Sequence, residues 1–276
     1  MKVLILGSKG MLGGQLMKVF GNEAVGWDRS DADATQVEGL KLKVKSLKPS
    51  AIINCVAYND VDGAEENRDL AFRLNAEVPG NLSRICKELD IPFIHFSSNY
   101  VFDGQKGEYL ETDKPRPLSA YGQSKYEGEM EVQKAGGKFY IIRTATLFGP
   151  KGQSKLSKKS FVELMIDLAA KQAQVKAVDD EINSITNAVD LAGSIKLLLE
   201  EQRPYGIYHI VNSGQGSWYN FAKEIFADLK KDINVIKASS ADFPRKAIRP
   251  KKSVLLNTKL PQLRSWQSAL AEFLKS

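Results

Sequence analysis

Four apolar residues, Val3-Leu4-Ile5-Leu6, run directly into Gly7-Ser8-Lys9-Gly10-Met11-Leu12-Gly13, and a helical pattern opens at once at Met11. This junction constrains the fold more than any other feature of the chain. An apolar strand bounded by glycine reads as buried on both faces of a parallel sheet. Glycines spaced G-x-x-G-x-x-G permit a tight turn, let the backbone approach a pyrophosphate and bring the helix close to the sheet. Free N–H groups and the dipole at the helix N-terminus then favour an anion. Gly7, Lys9, Gly10, Met11, Leu12 and Gly13 are the expected phosphate end of a dinucleotide site, with a plain structural turn as the alternative.

The first half repeats the rhythm. Strands are expected at Glu23–Trp27, Ala51–Cys55, Pro92–Phe96 and Phe139–Arg143, and helices at Met11–Phe20, Val37–Leu47 and Ser119–Gln133. Asp62–Leu89 reads as a long helical stretch restarted at Pro79, since proline suits a first helical turn. Alternating strands and helices predict a doubly wound, Rossmann-type α/β fold with a parallel sheet. After Gly149 the rhythm weakens. Lys151–Lys159 reads as an exposed loop, Phe161–Lys171, Ala188–Glu201, Trp218–Leu229 and Trp266–Leu274 as helices, and Ile207–Val211 as a short strand. At roughly 150 residues per domain, the expectation is a dinucleotide-binding part over 1–146. A smaller, mainly helical substrate-binding part covers 147–276, with segments crossing back to the first.

Composition removes other classes. With 43% apolar and 26% charged residues the chain is neither disordered nor low-complexity. No apolar run approaches the ~18 residues of a membrane span, and the N-terminal apolar stretch is too short for a signal peptide. Two cysteines, Cys55 and Cys86, make no disulfide scaffold, and His95 and His209 lack metal-site spacing. These residues, like Trp218 and Trp266, read as core. The expected setting is cytoplasmic. The net charge of +6 is concentrated after residue 222, where twelve Lys/Arg face five Asp/Glu. Its densest cluster, Arg245 to Lys252, sits around two prolines instead of along a helix, which favours a solvated loop or a small anion over nucleic acid.

Asp28 closes the second strand 21 residues after Gly7, where a carboxylate can bond an adenosine ribose hydroxyl. Arg29 follows it. That guanidinium either pairs with a 2′-phosphate, which favours NADP(H), or faces solvent, which leaves NAD(H) open. Asp33 either bonds the adenine edge or forms a turn. A second motif, Tyr121-Gly122-Gln123-Ser124-Lys125, puts Tyr121 and Lys125 on one helix face. A tyrosine ordinarily titrates near ~10, and a neighbouring ammonium would ease its proton transfer to a carbonyl oxygen. Ser98, just past the fourth strand, is placed to bond the same oxygen.

Together, G-x-x-G-x-x-G and Y-x-x-x-K resemble the extended short-chain dehydrogenase/reductase superfamily. Asn54-Cys55-Val56-Ala57-Tyr58, Val61-Asp62-Gly63-Ala64-Glu65, Leu74-Asn75-Ala76, Ser97-Ser98-Asn99-Tyr100-Val101-Phe102-Asp103-Gly104 and Pro117–Gly122 resemble the dTDP-4-dehydrorhamnose reductase family. Val178-Asp179-Asp180, Gly206–His209, Ser217-Trp218-Tyr219 and Arg249-Pro250 carry the likeness through the second half. The resemblance implies NAD(P)H-dependent reduction of the 4-keto group of a dTDP-linked 6-deoxy-sugar. Tyr121 would be the proton donor, Lys125 the residue that holds the nicotinamide ribose, and Ser98 the one that orients the ketone. Ala57 joins the cofactor site, Asn75 orders the site backbone, Asn59 and Val61 line the pocket, and Arg249 meets the substrate diphosphate.

Several positions depart from the family pattern. Ser98 replaces a threonine, Asn99 an aspartate near the sugar, and Thr146 a tryptophan that packs on the sugar. Gln15 stands where some members place a glutamate for a magnesium-linked dimer, so no metal is expected, and the chain is read as a monomer or homodimer. Thr146 and Asn99 keep open a reductase or epimerase of another nucleotide keto-sugar; relatives of this fold that act as regulatory subunits leave a non-catalytic NADP-binding role as a further alternative, against which the retained Ser98, Tyr121 and Lys125 weigh.

Overall fold

The computed structural model describes residues 1–154 and 159–275; residues 155–158, within the loop expected at Lys151–Lys159, lie outside the described part. The first half runs β1 (Val3–Leu6), α1 (Met11–Phe20), β2 (Ala24–Trp27), α2 (Val37–Leu47), β3 (Ala51–Asn54), α3 (Gly63–Glu66), α4 (Arg68–Phe72), α5 (Val78–Glu88), β4 (Phe93–Ser98), β5 (Gly107–Tyr109), α6 (Ala120–Ala135) and β6 (Phe139–Thr144). The second half adds β7 (Leu147–Phe148), α7 (Phe161–Ala169), β8 (Gln174–Val178), β9 (Ile182–Asn183), β10 (Thr186–Asn187), α8 (Ala188–Glu200) and β11 (Gly206–His209). It closes with β12 (Asn212–Ser213), β13 (Gly216–Ser217), α9 (Trp218–Asp228), β14 (Asn234–Ala238), β15 (Lys252–Leu255), β16 (Leu263–Ser265) and α10 (Trp266–Phe273).

Six parallel strands form the central sheet in the order β11-β6-β4-β3-β1-β2. Period-two alternation decides which side each residue serves. Val3 and Ile5 pack with Leu16 of α1 and Leu191, Ile195 and Leu198 of α8 on one face. On the other face Leu4 and Leu6 pack with Leu40 and Val44 of α2 and Leu82 and Ile85 of α5. Each such side chain contributes about 1.5–3 kcal/mol of burial, so β1 has no polar option on either face. The strand order reverses between β1 and β3, and a doubly wound sheet opens its crevice at the carboxyl ends of such neighbours.

Three local expectations are corrected. The second strand starts at Ala24, because Gly21–Glu23 form a 3-10 turn. The stretch 62–89 is not one helix restarted at Pro79: it breaks at Asn67, whose amide donates to the Gly63 carbonyl at 3.0 Å, and widens into a π-turn over Arg73–Glu77. Proline offers no N–H, and the π-turn carries the chain into α5 with Pro79 in its first turn. The second half also holds more strand than its helical periodicity suggests. β8 pairs with β14, and β13-β9-β15-β5 form a four-stranded sheet that takes in β5 from the first half. An apolar cluster of Phe148, Val162, Phe221, Ile225, Trp266 and Leu270 packs α7, α9 and α10 together.

Candidate active site

The loop after β1 is built for close approach. Gly7 has φ +74°, a conformation that favours glycine, and its N–H donates to the Trp27 carbonyl at 2.8 Å. A β-carbon on Gly13 would lie 2.2 Å from the Gly7 carbonyl oxygen. Gly10 caps α1 without a side-chain bond, and no acidic residue stands in the first turn. The N–H groups at Met11, Leu12 and Gly13 therefore lack intrahelical partners, which is the chemistry a phosphate needs. Across the loop, the Ser154 N–H donates to the Lys9 carbonyl at 2.9 Å.

Asp28 follows β2 directly, within this crevice. One of its oxygens accepts from the Ser30 N–H and hydroxyl at 2.7 and 2.6 Å, and the other meets the Lys9 ammonium. The Lys9 bond, then the two from Ser30, hold the carboxyl far below its ordinary range. Asp33 serves its own turn, accepting from the Thr35 N–H at 2.9 Å and hydroxyl at 2.8 Å. Arg29 is exposed.

On the far side of the crevice, α6 seats its first turn on the Asn99–Val101 turn that follows β4. A β-carbon on Gly122 would stand 2.2 Å from the Tyr100 carbonyl oxygen, so the residue inside Y-G-Q-S-K must be glycine for the helix to sit there. The Ser119 hydroxyl accepts from the Gly122 N–H at 3.2 Å and caps the helix. The Tyr121 phenol lies near Ser98, whose hydroxyl acts on its titration, and its ring meets Tyr100 edge-on at 5.9 Å. Burial pushes Tyr121 up to about 12, with Ser98 pulling the other way. Lys125 is 3% exposed and donates to the Phe96 carbonyl at 3.0 Å. Burial lowers it to about 8, while Glu129 and Cys55 act to raise it. Tyr121 is thus raised by burial, Lys125 is not among the groups that shift it, and the phenol is a protonated donor at neutral pH.

Asn75, in the π-turn, clamps the loop after β3. Its carbonyl accepts from the Tyr58 N–H at 2.9 Å, and its amide donates to the Tyr58 carbonyl at 3.0 Å and the Ser124 hydroxyl at 2.9 Å. That loop carries Ala57 and Val61, half-buried, and Asn59, exposed. Asn99, expected near the sugar, is 2% exposed and turned elsewhere. Its amide donates to Asn183 at 2.8 Å and the Ser253 hydroxyl at 2.7 Å, while its carbonyl lies 3.3 Å from the Ser98 hydroxyl. Arg249 is committed to Asp62 at 3.1 and 2.7 Å, so a neighbouring carboxylate neutralises that cation. Beside it, Glu181, Phe243, Arg245, Arg249 and Lys251 line a cavity of about 300 Å³. Thr146, half-buried after β6, has φ +35°, a strained value for a β-branched residue.

Glu129, Arg143, Asn183 and Ser253 were absent from the sequence-derived candidates. Glu129 carried a readable signal, standing one helical turn beyond Lys125. Asn183 and Ser253 meet Asn99 only through pairing of β9 with β15, and nothing local announces that. His95 and His209 are buried, and Trp218 and Trp266 pack in or against the second core. Among the described residues no group of three or more His, Cys, Asp or Glu could hold a metal ion, and no helix is long and apolar enough to cross a membrane.

A parallel sheet with a glycine loop after β1 and a Ser–Tyr–Lys set beyond β4 defines an oxidoreductase of the extended short-chain type. Comparison narrows the class: over residues 1–276 the chain matches the family described as RmlD substrate binding domain, and it belongs to that family. A dTDP-4-dehydrorhamnose reductase of Burkholderia thailandensis is 32% identical over 95% of this chain and 92% of its own. A probable dTDP-4,6-dihydroxy-2-methyloxan-3-one 4-ketoreductase of Streptomyces antibioticus is 35% identical over 99% of this chain and 94% of its own. The structure of a Bacillus anthracis dTDP-4-dehydrorhamnose reductase in complex with NADP is 34% identical, with TM-score 0.94 over 100% of this chain and 99% of that one.

Proposed function

We propose that the protein uses NADPH to reduce the 4-keto group of dTDP-4-dehydro-L-rhamnose to dTDP-L-rhamnose. The observation that carries this reading is buried Lys125 one helical turn after Tyr121 on α6, facing the end of β4 that carries Ser98, in a chain of this family. The uncapped start of α1 fits a dinucleotide phosphate and Asp28 an adenosine ribose. NADP(H) is favoured, and NAD(H) remains compatible with the same loop. A nicotinamide bound there would supply the hydride for the carbonyl carbon.

The residues do the rest. Tyr121, protonated at neutral pH, gives its phenolic proton to the carbonyl oxygen as the C–O π pair moves onto it. The Ser98 hydroxyl donates to that same oxygen and fixes its direction. Lys125 would hold the nicotinamide ribose by its ammonium. Asn75 keeps the Ala57–Val61 loop in place through its two bonds to the Tyr58 backbone. Residues 1–146 are assigned to the dinucleotide and 147–276 to the sugar nucleotide, with β5 and β11 crossing between them. The cavity beside Arg249 is assigned to the anionic half of the substrate, whose phosphates would have to displace Asp62, Glu181 or Asp180 from Arg249, Arg245 or Lys251. The enzyme is read as cytoplasmic and as a monomer or homodimer.

Purified protein, NADPH and dTDP-4-dehydro-L-rhamnose test the reading by loss of reduced-nicotinamide absorbance. Oxidation of NADPH with formation of dTDP-L-rhamnose is the expected result. A protein that binds NADPH but leaves it unoxidised is not this reductase. Thr146, a small strained residue in the sugar wall, favours one second reading: the same hydride transfer to another dTDP-linked keto-sugar. Net consumption of NADPH also separates both from an epimerase.

A further inference from the structure

Glu129 is fully buried on α6 and Arg143, on β6, is 2% exposed. They close a bidentate bridge at 2.9 and 2.7 Å. Arg143 donates further to the Glu111 carbonyl at 3.3 Å and lies 5.1 Å over the Phe102 ring. A buried ion pair adds little net stability, because desolvating two charges offsets their attraction. Its position therefore calls for another account, and Lys125 supplies it. The lysine lies one turn before Glu129 on the same face of α6, and its ammonium is sunk in the wall behind the crevice. A buried ammonium without a countercharge reverts to the neutral amine.

We propose that Glu129, held in place by Arg143, is a positioning residue for Lys125: its fixed charge keeps the lysine an ammonium inside the wall. The inference rests on the reading of Lys125 as the group that holds the nicotinamide ribose. The groups around Lys125 are Cys55 from the loop after β3, His95 and the Phe96 carbonyl from β4, and Tyr121 and Glu129 from its own helix. Arg143 joins them through Glu129. Burial pushes the Cys55 thiol up to about 12 and holds His95 well below its ordinary value, so both are neutral near pH 7. Tyr121, at about 12, is neutral too. Among these described groups Glu129 is the one anion.

The test is kcat/KM for NADPH from pH 6 to 9, which reports groups of the free enzyme. Glu129→Gln alone would strand a buried guanidinium, so the main variant is Glu129→Gln with Arg143→Gln, two amides that can bond each other. Removing a countercharge one helical turn away is expected to lower the Lys125 titration by about one pH unit. With Lys125 starting at about 8, the double variant is expected to lose less than about twofold at pH 6.5 and about eightfold at pH 8.5. Its NADPH Kd should rise with pH in the same pattern. Glu129→Asp withdraws the charge by one methylene and should move the alkaline limb the same way by a smaller step, which decides the matter if the double variant does not fold. Losses equal at both pH values in a folded variant would make the pair purely structural and overturn the proposal. A wild type that never oxidises NADPH with the keto-sugar would sink the proposed reaction instead, and the pH dependence of NADPH binding in the same variants would still judge Glu129.

Discussion

A β-carbon on Gly13 would stand 2.2 Å from the Gly7 carbonyl oxygen, closer than any side chain tolerates. The contact is backbone on both sides, so relief requires moving the loop or α1. Gly13→Ala should weaken NADPH binding at least about tenfold, read by nucleotide fluorescence titration, because the loop and helix start proposed to meet the phosphates are displaced together. Gly39, with nothing within 4 Å of its added β-carbon, is the control: Gly39→Ala in α2 should leave binding intact and raise stability by about 0.5–1 kcal/mol. Wild-type affinity in Gly13→Ala would show that the loop is not the phosphate site.

Tyr121→Phe keeps the ring that packs edge-on with Tyr100 and removes only the hydroxyl. Folding and NADPH affinity should survive, while kcat falls by about 10²–10⁴, the usual weight of a positioned acid. Since burial holds the phenol at about 12, no loss of rate on the alkaline side below pH 9 should trace to Tyr121. A variant that turns over at the wild-type rate would remove the residue from the reaction.

Asp62 is held at about 2, first by the Arg249 guanidinium and next by the Ala247 N–H acting against burial. A depressed carboxyl stabilises the fold above its ordinary value and loses that contribution as pH falls through the lowered one. The Asp62 side chain is 38% exposed, so the bridge contributes on the order of 1 kcal/mol or less. Arg249→Gln should be less stable than wild type by a gap that is full above about pH 4–5 and narrows toward pH 2. Urea midpoints at pH 7, 4 and 3 measure it, and a gap as wide at pH 3 as at pH 7 would contradict the pairing.

Much of this site was legible before the fold. The β1–glycine–α1 junction needs only local pattern, and so does Tyr121 with Lys125, because one helical turn fixes their relation. Ser98 followed from its place at a strand end. The rest depends on contacts between residues far apart in the chain. Asn99 looks like a sugar ligand until β9 and β15 bring Asn183 and Ser253 to its amide. Arg249 looks like a free cation until Asp62, 187 residues earlier, meets it. Short strands such as β9, two residues long, leave no periodicity to read.

Thr146 joins β6 to β7 at φ +35°, where a β-branched side chain crowds its own backbone at a cost of about 1–3 kcal/mol. Its carbonyl accepts from the Thr186 N–H at 3.1 Å, which ties the strained residue into the second half. Thr146→Gly relieves the crowding and gives back part of the gain as backbone entropy, leaving a net stabilisation of about 1 kcal/mol by denaturant midpoint. Selectivity should respond separately. If position 146 faces the sugar, as proposed, its small side chain leaves room there, and an aromatic wall would take up that room and add apolar contact. Thr146→Trp should therefore change the ratio of kcat/KM between two dTDP keto-sugars by about 10-fold or more, with NADPH affinity unaltered. If both sugars keep their wild-type ratio, position 146 does not touch the substrate, and the departure at this residue says nothing about which sugar is reduced.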